Sequence, residues 1–119
     1  MNKADLQLLL IVTSDPRTSA RPAEAIRMAA GVAAWKKAAV NVCLQGAAVL
    51  ALGEFPDELV DEDSFVRYLP ILGEMSQRIY TRNAAPFLAQ IGRTTLAYQE
   101  INETELAALA ARSTYVARF

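Results

Sequence analysis

Apolar positions in this chain fall into short blocks of two kinds, and the blocks alternate. The first, Leu6 to Val12, is an almost unbroken Leu/Ile/Val run that stops at the turn formers Ser14, Asp15 and Pro16. A run apolar on both faces suits a central parallel strand covered by helices on each side. The next segment, "TSARPAEAIRMAAGVAAWKKA", changes to helical spacing, with Ala25, Met28, Ala29, Val32 and Trp35 as its buried stripe. Ser19 is a candidate cap and Pro22 suits the first turn. Glu24 near the start, with Lys36 and Lys37 near the end, matches the helix dipole.

"AVNVCLQG" alternates, with Val40, Val42 and Leu44 on one face and Asn41, Cys43 and Gln45 on the other; it predicts a second strand closed by Gly46. "AAVLALGEF" reads as a short helix. The acidic patch "DELVDED" leads into "SFVRYLPILGEM", a helix that Pro70, lacking an amide donor, is expected to interrupt or restart. Arg78 to Thr81 reads as a third strand, followed by the loop "RNAA" and a small helix near Pro86. "TTLAYQEIN" predicts a fourth strand, and "NETELAALAARS" a helix with Asn102 as cap and Glu105 three residues on, as in a capping box. "TYVARF" is a last short strand.

This alternation predicts one domain over residues 1–119. Its expected fold is a three-layer α/β/α arrangement, flavodoxin-like in class, with a five-stranded mostly parallel sheet and right-handed crossovers. By analogy with doubly wound folds the expected strand order is 2-1-3-4-5.

Composition narrows the chemistry. In 119 residues, 53% are apolar and 21% charged, which fits a buried parallel sheet or a subunit hiding apolar surface against copies of itself. Met75, Ile79, Tyr80, Phe87, Leu88 and Ile91 concentrate apolar surface around one loop; they either mark such a contact or complete the core. A net charge of −1 argues against nucleic acid as a partner. The Leu8–Val12 run is too short for a signal-peptide core or a membrane span, so a soluble, reducing, cytoplasmic setting is expected. One cysteine and no histidine exclude an internal disulfide, disfavour zinc, and leave no Ser-His or Cys-His couple. Neither a metal nor a cofactor is expected.

Three loops should gather at the carboxyl ends of the strands: "TSDPRTSARP", "QGAAV" and "TRNAAP". Arg17, Ser19, Arg82 and Asn83 lie in or beside them, next to helix starts whose free amides attract anions, and are the candidate ligand-binding residues. The competing reading leaves these arginines solvated, or pairs them with the acids between Asp57 and Asp63. Cys43 is flanked by Val42 and Leu44, with nothing nearby in sequence to lower its pKa, and reads as a buried core residue. The cluster Asp57, Glu58, Asp61, Glu62, Asp63 lacks the glycine-rich cradle of a phosphate-linked magnesium site and reads as a solvated loop with capping acids.

The order of these pieces resembles the DsrE/DsrF-like family, which includes the TusD and TusC subunits of bacterial sulfur relay. The resemblance rests on "LLLIVTSDP", the Ala-rich "EAIRMAAGVAA", "VNVCLQGAAVLAL" and "RIYTRNAAPFLAQIG". It implies a DsrE-like fold, a cytoplasmic setting and assembly into trimers or hexamers, or with a cysteine-bearing relative. Catalytic members carry a persulfide-forming cysteine just after the third strand. Here that position is Arg82, or Thr81 one residue earlier, so the resemblance implies a non-catalytic companion in sulfur transfer, or a binder of a small anionic or sulfur ligand. The alternative is a small-molecule transferase or sulfurtransferase whose site is built between subunits around the Arg82 loop.

Overall fold

The computed structural model describes residues 6–35, 38–53, 58–74, 78–92 and 96–119. The order is β1 (Leu6–Val12), α1 (Arg21–Trp35), β2 (Ala38–Gln45), a 3-10 helix (Gly46–Leu52), α2 (Glu62–Glu74), β3 (Arg78–Arg82), α3 (Ala85–Leu88), β4 (Gln99–Glu100), α4 (Glu103–Arg112) and β5 (Tyr115–Arg118). The five strands form one sheet in which every neighbouring pair is parallel. No helix among the described residues is long and apolar enough to cross a membrane.

The strand order is β4-β3-β2-β1-β5, which corrects the expected 2-1-3-4-5. Burial gives the reason. β1 is the most apolar strand and needs neighbours on both edges; β2 pairs it along Leu6–Val12 and β5 along Leu8–Ile11. β4 has two residues, both exposed, and makes an edge rather than a platform for another strand.

Strand alternation divides the side chains between two faces. Leu10, Val12, Val40, Val42, Leu44 and Ile79 lie on the first face and pack with α1, the 3-10 helix, α2 and the segment around α3. Leu9, Ile11 and Cys43 lie on the second, where α4 covers them through Leu106, Leu109 and Ala110. Three connections step β1→β2→β3→β4 over the first face. The fourth, α4, returns across β3, β2 and β1 over the second face, as crossovers of one hand require.

Several local expectations need correction. The buried residues of α1 are Pro22, Ala23, Ala25, Ile26, Ala29, Ala30 and Ala33, whereas Met28 and Trp35 are 47% and 57% exposed. Apart from Ile26 and Pro22 the inward positions are alanines, because a helix packed against both α2 and the sheet can approach closely only through mostly small side chains. Pro70 sits inside an unbroken α2. Both Pro70 and Val66, whose carbonyl lacks its usual amide partner, are on the exposed side, where water can satisfy that oxygen. The fourth strand contracts to Gln99–Glu100; Thr94 and Thr95, like Lys36, Lys37, Asp57 and Met75, lie outside the described residues. Ile79 and Ile91 are buried, with Phe87 and Leu88 packed against the main core and Tyr80 against the smaller one, so the described members of that apolar group complete the core.

Candidate functional site

β3 and β4 are neighbours whose outgoing chains leave toward opposite faces, the one toward α3 and the other toward α4. In an open α/β sheet such a divergence opens a crevice beyond the carboxyl ends of the strands. Here the crevice measures ≈ 600 Å³ and runs from Arg82 to Pro86 on one wall and from Glu100 to Glu103 on the other.

Arg82 ends β3 on the α4 side of the sheet. Its Nη2 donates to Glu103 Oε1 at 3.1 Å and its Nη1 to Gln45 Oε1 at 3.4 Å. The ion pair is lopsided, with Arg82 19% and Glu103 83% exposed, so the carboxylate is a solvated rim group that holds the guanidinium weakly. Nε of Arg82 is buried and has no hydrogen-bond partner among the described residues; the same holds for Oγ1 of Thr81, on the opposite face. An unsatisfied buried donor costs on the order of 1–3 kcal/mol. Asn83 follows with φ 53, in the left-handed region that Asn tolerates better than most residues, and this bend carries the chain out of the sheet toward α3.

The other wall owes its shape to the capping box of α4. Asn102 Oδ1 accepts from the Glu105 amide at 2.8 Å, and Glu105 Oε1 accepts from the Asn102 amide at 2.9 Å. Sequence reasoning found this cap but did not assign Glu100, Asn102 and Glu103 to the site. The signal was available, since a capped helix starting directly after a strand marks a rim position.

The first loop is engaged elsewhere. Arg17 grips Asp15 through Nη2–Oδ2 at 2.8 Å and Nε–Oδ1 at 3.0 Å, and its amide donates to the same Oδ1 at 2.9 Å. The side-chain hydrogen bond from Arg17 is the main cause that holds the Asp15 carboxyl below its usual pKa, against a smaller opposing effect of burial. The Arg17 guanidinium lies over the Phe87 ring, 5.9 Å from its centre. Ser19 Oγ accepts from the Arg21 amide at 3.1 Å. Of the four candidate residues, the crevice therefore unites Arg82 and Asn83, while Arg17 and Ser19 serve their own loop. The described ion pairs of Arg17 and Arg82 are with Asp15 and Glu103, not with the acidic segment.

Cys43 is 0% exposed, between its register partners Ile11 and Tyr80 and beneath α4. Burial pushes its thiol up to about 11, only partly offset by a hydrogen bond with Gln45 and the charge of Arg82. Almost no thiolate exists there at neutral pH. Among the described residues, no three His, Cys, Asp or Glu side chains gather to hold a metal ion.

No family model matches this chain, and no curated protein matches it. Among solved structures it is similar to the crystal structure of the ychN protein from E. coli, with a TM-score of 0.73 and 18% identity, over 96% of this chain and 99% of that one. At that identity the likeness concerns the fold, which is the DsrE-like α/β arrangement expected from the sequence.

Proposed function

We propose that this protein is a non-catalytic DsrE-like subunit, a companion in intracellular sulfur transfer that holds a small anionic or sulfur ligand, or a partner's loop, in the crevice between β3 and β4. One observation carries the reading: the sole thiol, Cys43, is sealed under α4, while the crevice at the end of β3, where the family resemblance puts the reactive group, holds Arg82. Arg82 places a charged guanidinium in the crevice lining, paired there, among the described residues, only with the solvated Glu103, and suited to holding an oxyanion or a carbonyl rather than to forming a bond with sulfur. Glu100 and Glu103 on the facing wall favour a ligand that also carries donors.

The reading includes assembly, either with copies of itself or with a cysteine-bearing relative. Met28, Trp35, Tyr115 and Val116 supply exposed apolar surface for such a contact. The test is capture of the tagged chain from its native host, with mass spectrometry of the complex after sulfane-sulfur labelling. A relative that carries the label while this chain does not supports the reading. Label on this chain overturns it.

A further inference from the structure

Among the described residues, the second face of the sheet is only partly covered. α4, with ten residues, is about 15 Å long, whereas the eight residues of β2 extend about 26 Å. Leu106, Leu109 and Ala110 cover Leu9, Ile11 and Cys43, and the helix ends at Arg112. Beyond it, toward the amino ends of the strands, lies a depression of ≈ 270 Å³. Its floor is made of the polar interruptions in three adjacent strands, Gln7 on β1, Asn41 on β2, and Arg78 and Tyr80 on β3, and Arg112 closes it from above. Register explains the convergence, since Leu9 pairs with Asn41 and Asn41 with Arg78, and alternation directs all of these positions to the α4 face.

Two guanidinium groups thus share one concavity, and among the described residues its lining contains no carboxylate. None of these five side chains makes a hydrogen bond or ion pair with another described residue. Glu105, on the same helix and lining an adjoining pocket with Tyr80 and Arg112, is occupied through its Oε1 in the capping box. Like charges brought together without a counter-charge repel, and a dianion placed between them converts that repulsion into paired, forked hydrogen bonds. Tyr80, Asn41 and Gln7 add neutral donors around the same space.

We infer that this depression binds a small oxyanion, phosphate or sulfate, free or as a monoester, through Arg78 and Arg112. The site lies at the opposite end of the sheet from the Arg82 crevice and does not depend on the function proposed for it.

The test is a titration of the full chain with inorganic phosphate, sulfate and phenyl phosphate at low ionic strength, followed by amide NMR shifts and calorimetry. Saturable shifts centred on Gln7, Asn41, Tyr80 and Arg112 are expected, with R78Q and R112Q each weakening binding about tenfold, as loss of a charged hydrogen bond does. Tighter binding of phenyl phosphate than of inorganic phosphate identifies a monoester as the ligand, and the reverse a free ion. Both arginines are exposed, so their substitution leaves the fold intact, which circular dichroism checks. R82Q serves as the distant control and should bind normally. Unsaturable shifts, shifts centred on Arg17 and Arg82, or unchanged affinity in R78Q and R112Q would overturn the inference.

Discussion

Cys43 and Arg82 are two residues apart in the strand register, since Gln45 pairs with Arg82, yet they have opposite fates. The guanidinium reaches the crevice, while the thiol stays in the dry layer under α4. A thiol pushed up to about 11 from an ordinary value of 9.0 makes a measurable contribution to stability. The folded state holds its proton between those two values while the unfolded chain releases it, so this contribution is complete below pH 9 and is lost as the pH rises toward 11. The wild type should therefore lose roughly 2 kcal/mol more than C43A between pH 9 and 11 in urea unfolding. Equal losses would show that the thiol is not desolvated. Asp15 works in the opposite sense: its lowered pKa contributes above the ordinary carboxylate range and fades as acid protonates it, so D15N should flatten the acid limb of the same curve. At this scale the sequence was legible for Cys43, whose apolar neighbours announced burial. It was not legible for the arginines, because their partners Asp15 and Glu103 are chosen by loop geometry rather than by proximity to a dense acidic patch.

At the scale of elements, strong local signals survived and weak ones shifted. The α4 capping box was readable because Asn102 and Glu105 satisfy each other's backbone within three residues, without tertiary help. N102A should cost about 1 kcal/mol by chemical denaturation, and L109A about 2–4 kcal/mol, because Leu109 is buried in the smaller core cluster against Leu9, Ile11 and Cys43. The stripe of α1 was misplaced because apolarity alone ranks Met28 and Trp35 above alanine, whereas the space between α2 and the sheet selects for smallness. Pro70 was expected to break α2, but its solvent-facing position makes the missing amide tolerable. Restoring that amide in P70A should raise stability by about 1–3 kcal/mol, given the helix penalty of proline; a loss instead would mean that the ring itself packs against a neighbour. β4 shrank because an exposed edge gives little burial to hold a strand flat.

For the whole molecule, the alternation of strand and helix gave the three layers, but strand order was out of reach of pattern reasoning. Nothing in "TYVARF" reveals that it joins β1 rather than β4; that choice depends on which edge of the sheet still needs covering. It matters for function, because sending α4 back over the second face is what separates the chain ends of β3 and β4 and opens the crevice. Among the described residues, the same return leaves a depression at the amino ends of β1, β2 and β3, with Arg78 and Arg112 in its lining. Both concavities follow from one topological decision and from the limited length of one helix. The central claim, a subunit that holds but does not carry sulfur, is tested most directly by offering the native protein a low-molecular-weight persulfide at neutral pH and weighing it intact. The account predicts an unchanged mass until the chain is unfolded and Cys43 becomes accessible. An added sulfur atom on the folded protein, mapped to Cys43, would contradict it.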